Sequence, residues 1–154
     1  MVKWLVVASL VWPAVLASAA ATRVSHAAPA FSALVYVAAS RICHQRPERS
    51  FHTAGVQWPV CGRCSGLYLA APVGALAAVG ALGRRNRARR ARPAPKLVFA
   101  LAVASAPTAA TLVAEWLHLV PVSNAVRFLS ALPLGAMIAY TVIRMARGSG
   151  GPIE

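Results

Sequence analysis

Most of this chain lies in long apolar runs almost free of charge, and that feature fixes the solvent the fold must suit. Residues 2–21, 65–83, 97–120 and 126–143 each read as one such run. A helix of about 20 residues, rising 1.5 Å per residue, crosses about 30 Å of hydrocarbon. Inside a bilayer the backbone polar groups must be paired within the segment, which a helix does. The runs therefore predict an all-α, polytopic helical membrane bundle of four to five transmembrane helices. Composition agrees. Of 154 residues, 58% are apolar and 12% charged, whereas a soluble domain carries about 25% charged residues.

Residues 29–42 are the intermediate case, at about 14 residues or about 21 Å of helix. They read as a re-entrant segment, or as a span that starts near Val24 with Arg23 snorkelling to the interface. Residues 2–21 carry Lys3 at their start and end in small residues, which also fits a cleavable signal peptide; an uncleaved span is the preferred reading. The organisation expected is an N-terminal transmembrane helix at 1–28, a helical membrane domain at 29–143, and a short tail at 144–154. Gly66, Ala70, Gly74 and Ala78 recur every four residues, a stripe that lets helix backbones approach closely. Pro72, Pro107 and Pro133 fall inside runs and predict kinks whose freed backbone groups are satisfied by neighbours.

The net charge of +13 comes from 16 Lys and Arg against 3 Asp and Glu. Such a balance often signals nucleic acid. Here seven of the basic residues lie between Arg84 and Lys96, in a break between runs with no interleaved aromatics, so no nucleic-acid partner is expected. The pattern fits a cytoplasmic loop under the positive-inside rule, with affinity for anionic lipid headgroups. With five spans, ten basic residues fall inside. Lys3, Arg41, Arg46, Arg49, Arg63 and Arg127 fall outside, together with the amino terminus. The abundance of Ala and Arg suggests a GC-rich bacterial genome, and the cytoplasmic membrane of a prokaryote is the expected location. The lipid bilayer is the one partner implied; homo-oligomerisation or a membrane partner is left open.

All three cysteines and two of the four histidines lie within residues 43–64. Cys61-Gly-Arg-Cys64 can fold as a knuckle that points two thiolates at one ion. Cys43 or His44 then supplies a third ligand and His52 a fourth, a tetrahedral S/N set suited to zinc or another transition metal such as iron. Arg46 and Arg63 favour thiolate over thiol. On an oxidising face the same residues can instead be a redox pair, a structural disulfide or inert thiols. An odd third cysteine suggests a free thiol or an intermolecular bond. The adjacency of Cys43 and His44 also permits an activated nucleophile, though neighbouring side chains often point apart.

Glu115 is the one carboxylate inside an apolar run, and His118 follows at i+3 on the same face. The pair can offer two ligands to an ion. The plainer reading, slightly ahead, pairs Glu115 with Arg127 or Arg41 and leaves His118 at the interface. Ser123-Asn124 fits a helix N-cap.

Residues 43–51, Cys-His-Gln-Arg-Pro-Glu-Arg-Ser-Phe, with Cys-Gly-Arg-Cys-Ser-Gly-Leu-Tyr-Leu at 61–69, Ser-Asn-Ala-Val-Arg at 123–127 and Pro-Leu-Gly at 133–135, resemble an uncharacterised prokaryotic membrane family, domain of unknown function 2085. The resemblance covers about residues 30 to 143 and implies a helical membrane protein with no established activity. Ala125 stands where the family pattern usually has a second Asn. The resemblance also implies that Gln45, Arg46, Pro47, Glu48, Arg49, Ser50 and Phe51 belong to one motif with the cysteines, as do Arg63 and Asn124. Physically, Pro47 stiffens the loop and Phe51 can anchor it. Glu48 can pair with Arg46, Arg49 or Arg63, or support a ligand histidine.

Three function classes follow. The first is a metal-binding membrane protein with Cys43, His44, Cys61 and Cys64 as core ligands and His52, Glu115 or His118 in reserve. The second is a membrane thiol–disulfide oxidoreductase exchanging at Cys61 and Cys64, with Cys43 as relay; it lacks a following βαβ pattern. The third is a scaffold whose loop staples two helices. A small transporter would need oligomerisation to gain helices. No reaction, and hence no enzyme class, follows from these residues.

Overall fold

The computed structural model describes residues 1–84 and 95–148. Most of the basic segment expected inside, and residues 149–154 of the expected tail, lie outside the described residues. Along the chain run α1 (Val2–Ser25), α2 (Pro29–Ser40), a 3-10 turn (Pro47–Arg49), strands β1 (Ser50–Thr53) and β2 (Val56–Cys61), α3 (Gly62–Arg84), α4 (Pro95–Trp116) and α5 (Asn124–Gly148). Among the described residues, α1, α3, α4 and α5 contain spans long and apolar enough to cross a membrane. The helical membrane bundle expected from the runs is therefore what forms, with a two-stranded sheet added.

The bundle is built on a seam between α3 and α5. A Cβ added to Gly62 would come within 2.8 Å of the Asn124 carbonyl oxygen, one on Gly66 would strike the carbonyl of Phe128, and one on Gly74 that of Ala136. The constant offset means that the two helices run parallel. Gly66, Ala70, Gly74 and Ala78 are all buried, so the four-residue stripe is the contact face. Bare backbone against backbone gives dispersion contact that larger side chains would forbid, and in lipid this replaces the hydrophobic drive that water would supply.

Helix α1 lies antiparallel to this pair. Near its start Val2, Leu5 and Val6 pack on Ala75, Ala78 and Ile143; near its end Leu16 and Ala19 pack with Cys43 and Val60. Its first residues therefore sit at the end of the bundle where α3 ends and α4 begins. This differs from the direction expected if residues 29–42 also span. The reason is length: α2 has 12 residues, about 18 Å, and folds back beside the last turns of α1. Arg23 there stacks over the Tyr36 ring at 4.4 Å. Lys3 and Arg23 therefore exchange ends relative to the five-span reading.

Helix α4 is the outermost. Only 6% of its apolar window is buried, against 33% for α3, so nearly all of its surface is left for lipid. It is tied to α5 by polar bonds: Thr108 Oγ1 donates to Ser130 O at 2.7 Å, and Thr111 and Ser130 hydroxyls lie 3.2 Å apart. It stops at Trp116, short of the run's end at Val120. His118 takes a left-handed φ of 53°. Leu119 N–H donates to Ala114 O at 2.9 Å and His118 N–H to Glu115 O at 3.2 Å, the paired closure of a Schellman motif. Pro13, Pro72, Pro107 and Pro133 lie within α1, α3, α4 and α5, each of which continues through its proline.

Candidate metal centre

The segment read as a loop at 43–64 contains a hairpin. Ser50 faces Cys61, His52 faces Gln57 and Thr53 faces Val56, with an irregularity between Ser50 and His52. Ala54 and Gly55, at φ 50° and 77°, close it with two positive-φ residues. That is the type I′ geometry matching strand twist, and Gly adopts it at little cost. Strand β2 runs straight into α3, so Cys61 is the last strand residue and Gly62 the first helical one.

The hairpin is fastened by the polar residues of the motif. Gln45, itself at φ 48°, donates through Nε2 to Tyr36 O and Pro59 O, both at 2.8 Å. Gln57 Nε2 donates to Gln45 O at 2.5 Å. Ser50 is fully buried and donates to Arg46 O at 2.9 Å. Asn124 Nδ2 reaches from α5 to Ser50 O at 2.9 Å. Phe51 makes edge contacts with Trp58 and Phe128, ring centroids 6.4 and 5.9 Å away, which anchors β1 on α5. Buried carbonyls left without such donors would cost about 1–3 kcal/mol each.

These bonds bring Cys43, from the end of α2, to Cys61 and Cys64. The three Sγ atoms lie within 4.8 Å of one another. Cys43 is buried at 5% exposure, and the Cys61 N–H donates to its sulfur at 3.2 Å. Hydrogen bonds from the Cys61 and Cys64 thiols, with backbone N–H groups of Cys61 and Gln45, hold the Cys43 thiol well below the usual cysteine range despite opposing burial. Cys61 is the last residue of β2 and Cys64 lies in the first turn of α3. Leu16, Ala19 and Val60 pack around Cys43, and Trp12 meets Tyr68 edge-on at 6.2 Å. The three thiols thus sit between α1, the hairpin and α3.

The predicted membrane protein family DUF2085 matches residues 43–141, well over half of the chain. The chain belongs to that family. The match begins at the first cysteine and takes in the hairpin, the α3–α5 seam and most of α5. An uncharacterized protein of Methanothermobacter thermautotrophicus is 57% identical over 30 residues, 20% of this chain and 27% of that protein. Another, from Methanocaldococcus jannaschii, is 46% identical over 43 residues, 28% of each chain. The DUF2085 chain therefore aligns with less than a third of the length of either curated relative. No solved structure matches it.

The other residues singled out in the sequence are dispersed around this DUF2085 site. His44 is exposed and lines a cleft beside the cysteines, but it is outside the 4.8 Å group. His52 is exposed on β1. His118 is exposed in the turn that ends α4, so the i+3 helical face shared with Glu115 does not form. Glu48 and Arg46 make an exposed ion pair at 3.9 Å. Pro47 opens the 3-10 turn and Arg49 closes it. The Ser123 hydroxyl caps α5 by accepting from Val126 N–H at 3.3 Å. Asn124 bridges to Ser50 and accepts from Arg127 NH1 at 2.6 Å.

Glu115 is held by two arginines. Arg63 NH2 donates to Oε2 at 2.5 Å, and Arg127 Nε donates to Oε1 at 2.6 Å. All three side chains are 10–15% exposed. One carboxylate thereby joins α3, α4 and α5 at the cysteine end. The pairing with Arg127 is the plainer sequence reading. Arg41 makes no ion pair among the described residues, and the second partner is Arg63, which the sequence reading places beside the thiolates or Glu48 and not at Glu115. Its position in the first turn of a helix beginning at the same membrane level as the end of α4 was the available signal.

Proposed function

We propose that this membrane protein holds a thiophilic transition metal, of the zinc or iron class, on Cys43, Cys61 and Cys64, with His44 completing the coordination. The observation that carries the reading is the convergence of three sulfurs from two separate segments within 4.8 Å. A tetrahedral thiolate site with metal–sulfur bonds of about 2.3 Å sets its sulfurs about 3.8 Å apart, which small side-chain rotations would supply. The chain's own residues prepare the ligands. The N–H groups of Cys61 and Gln45 favour thiolate at Cys43, and Gln45 and Ser50 fix the hairpin that carries Cys61. A bound ion would supply Lewis acidity or a structural clamp. His52, Glu115 and His118 are the reserve ligands of the same proposal, weakened by exposure or by arginine pairing.

We place the protein in the cytoplasmic membrane of a prokaryote. In this reading the cysteine end faces outside and residues 84–96 face inside, because that segment carries seven of the sixteen basic residues. A thiol–disulfide oxidoreductase is the second reading, favoured by the C-x-x-C at the opening turn of α3. The deciding experiment is elemental analysis of detergent-purified, reduced protein beside Cys43→Ser and Cys61→Ser. About one metal per chain, lost in both variants, supports the metal reading. Metal-free reduced protein, with Cys61 and Cys64 changing redox state in cell-based thiol trapping, replaces it with the second.

A further inference from the structure

The cleft beside the cysteines has a volume of about 340 Å³, and its walls include Arg46, Arg49, Arg63 and Arg127. Four guanidiniums here face two carboxylates. Glu115 is shared by Arg63 and Arg127. Glu48 touches only Arg46, across 3.9 Å, with both side chains about 60% exposed. Arg49 is half-buried and has no side-chain hydrogen bond or ion pair among the described residues. The Nε of Arg63 is buried without a hydrogen-bond partner. Buried donors are rarely left unpaired in folded proteins, so donor capacity here exceeds what the chain itself uses.

We propose that this cleft binds an oxyanion, a phosphate-type group, on Arg49 and the neighbouring guanidiniums. Three features converge on that ligand. Guanidinium forks match oxyanions in two-point hydrogen bonds. The first-turn N–H groups of α3 add positive potential at the same place. The volume lies at the small end of ligand cavities, the scale of a phosphate ester or a lipid headgroup. The thiols do not cancel the charge. A lone thiolate at Cys43 contributes one negative charge, and three thiolates around a divalent ion also net to one, so one positive charge remains in either state. Oxyanion binding is therefore independent of the metal reading. Because α3 enters the bilayer beside the cleft, the phosphate can belong to a lipid headgroup or to a soluble ester.

The test uses the full chain in neutral detergent. Inorganic phosphate is titrated calorimetrically, and retention of phosphatidylglycerol against phosphatidylcholine is read by native mass spectrometry. Arg49→Gln removes the unpaired fork without touching the Glu115 pairs, and Arg46→Gln is a second variant at an exposed position. Wild-type protein should bind one phosphate saturably or retain one phosphatidylglycerol selectively. The first result assigns a soluble ligand and the second a lipid. In Arg49→Gln that binding should weaken at least about tenfold, with metal content unchanged. Absence of both kinds of binding in wild-type protein overturns the proposal, as does binding that neither variant weakens. Loss of metal in Arg49→Gln without any anion effect would assign the arginines to the thiolates instead, and would leave the metal reading standing.

Discussion

Along the α3–α5 seam little but shape joins the helices, whereas at the cysteine end the contacts are directed polar bonds. Gly66, Ala70, Gly74 and Ala78 meet α5 with almost no side chain. Gln45, Ser50, Asn124, Glu115 and two arginines meet their partners through named donors and acceptors. The difference follows from the surroundings. Within lipid, apolar side chains gain nothing by leaving one another's company for tails, so close backbone approach must hold helices together. At the boundary, water competes for every polar group, and geometry decides which bonds survive. Substitutions in the two regions should therefore fail in different ways.

The largest effect is expected from Glu115→Ala. It strips two mostly buried guanidiniums of their shared carboxylate, a loss of about 3–5 kcal/mol, read as a lowered unfolding midpoint in mixed micelles. Next comes Gly74→Leu in the seam, where overpacking against the Ala136 carbonyl should cost about 1–3 kcal/mol. If the comparison holds, this variant is less stable yet keeps its bound metal. Gln45→Ala should do the reverse. It removes the Nε2 bonds to the Tyr36 and Pro59 carbonyls, at about 1–2 kcal/mol, and should lower metal content while far-ultraviolet circular dichroism stays that of the wild type.

A smaller, pH-dependent effect is expected at Cys43. Its native pKa is depressed, while the unfolded thiol titrates near about 8.5. The associated stability is full above that unfolded value and is lost as pH falls toward the native one. Metal-free reduced protein should thus melt higher at pH 8.5 than at pH 6, and Cys43→Ser should flatten that rise. The smallest effect belongs to Glu48→Gln, whose partner is as exposed as Glu48 itself. A change within about 0.5 kcal/mol is expected, and a larger drop in melting temperature would show that the exposed 3-10 turn before the hairpin also matters.

The membrane helices and the seam were legible in the sequence because each is written as a period: uncharged runs of spanning length, and small residues at every fourth position. The convergence of Cys43 with Cys61 and Cys64 was legible as a spacing motif. The hairpin was not. Its strands are four and six residues long, Pro59 interrupts the second, and Ala54-Gly55 is a weaker turn signal than Asn-Gly. The direction of α1 hung on whether residues 29–42 cross the bilayer. Hydropathy alone could not decide that for a helix that ends after 12 residues. The Arg63–Glu115 pair joins residues 52 positions apart, and no local pattern reports such a distance.

Helix α1 touches both ends of the molecule. Its start rests on Ala75, Ala78 and Ile143, and its later turns rest on Cys43 and Val60, about 20 Å further along the helix. A change in the volume or spacing of the sulfurs would press directly on Leu16 and Ala19. Pro13 lies between these two contacts, so the turn it loosens is where α1 would bend to accommodate such a push.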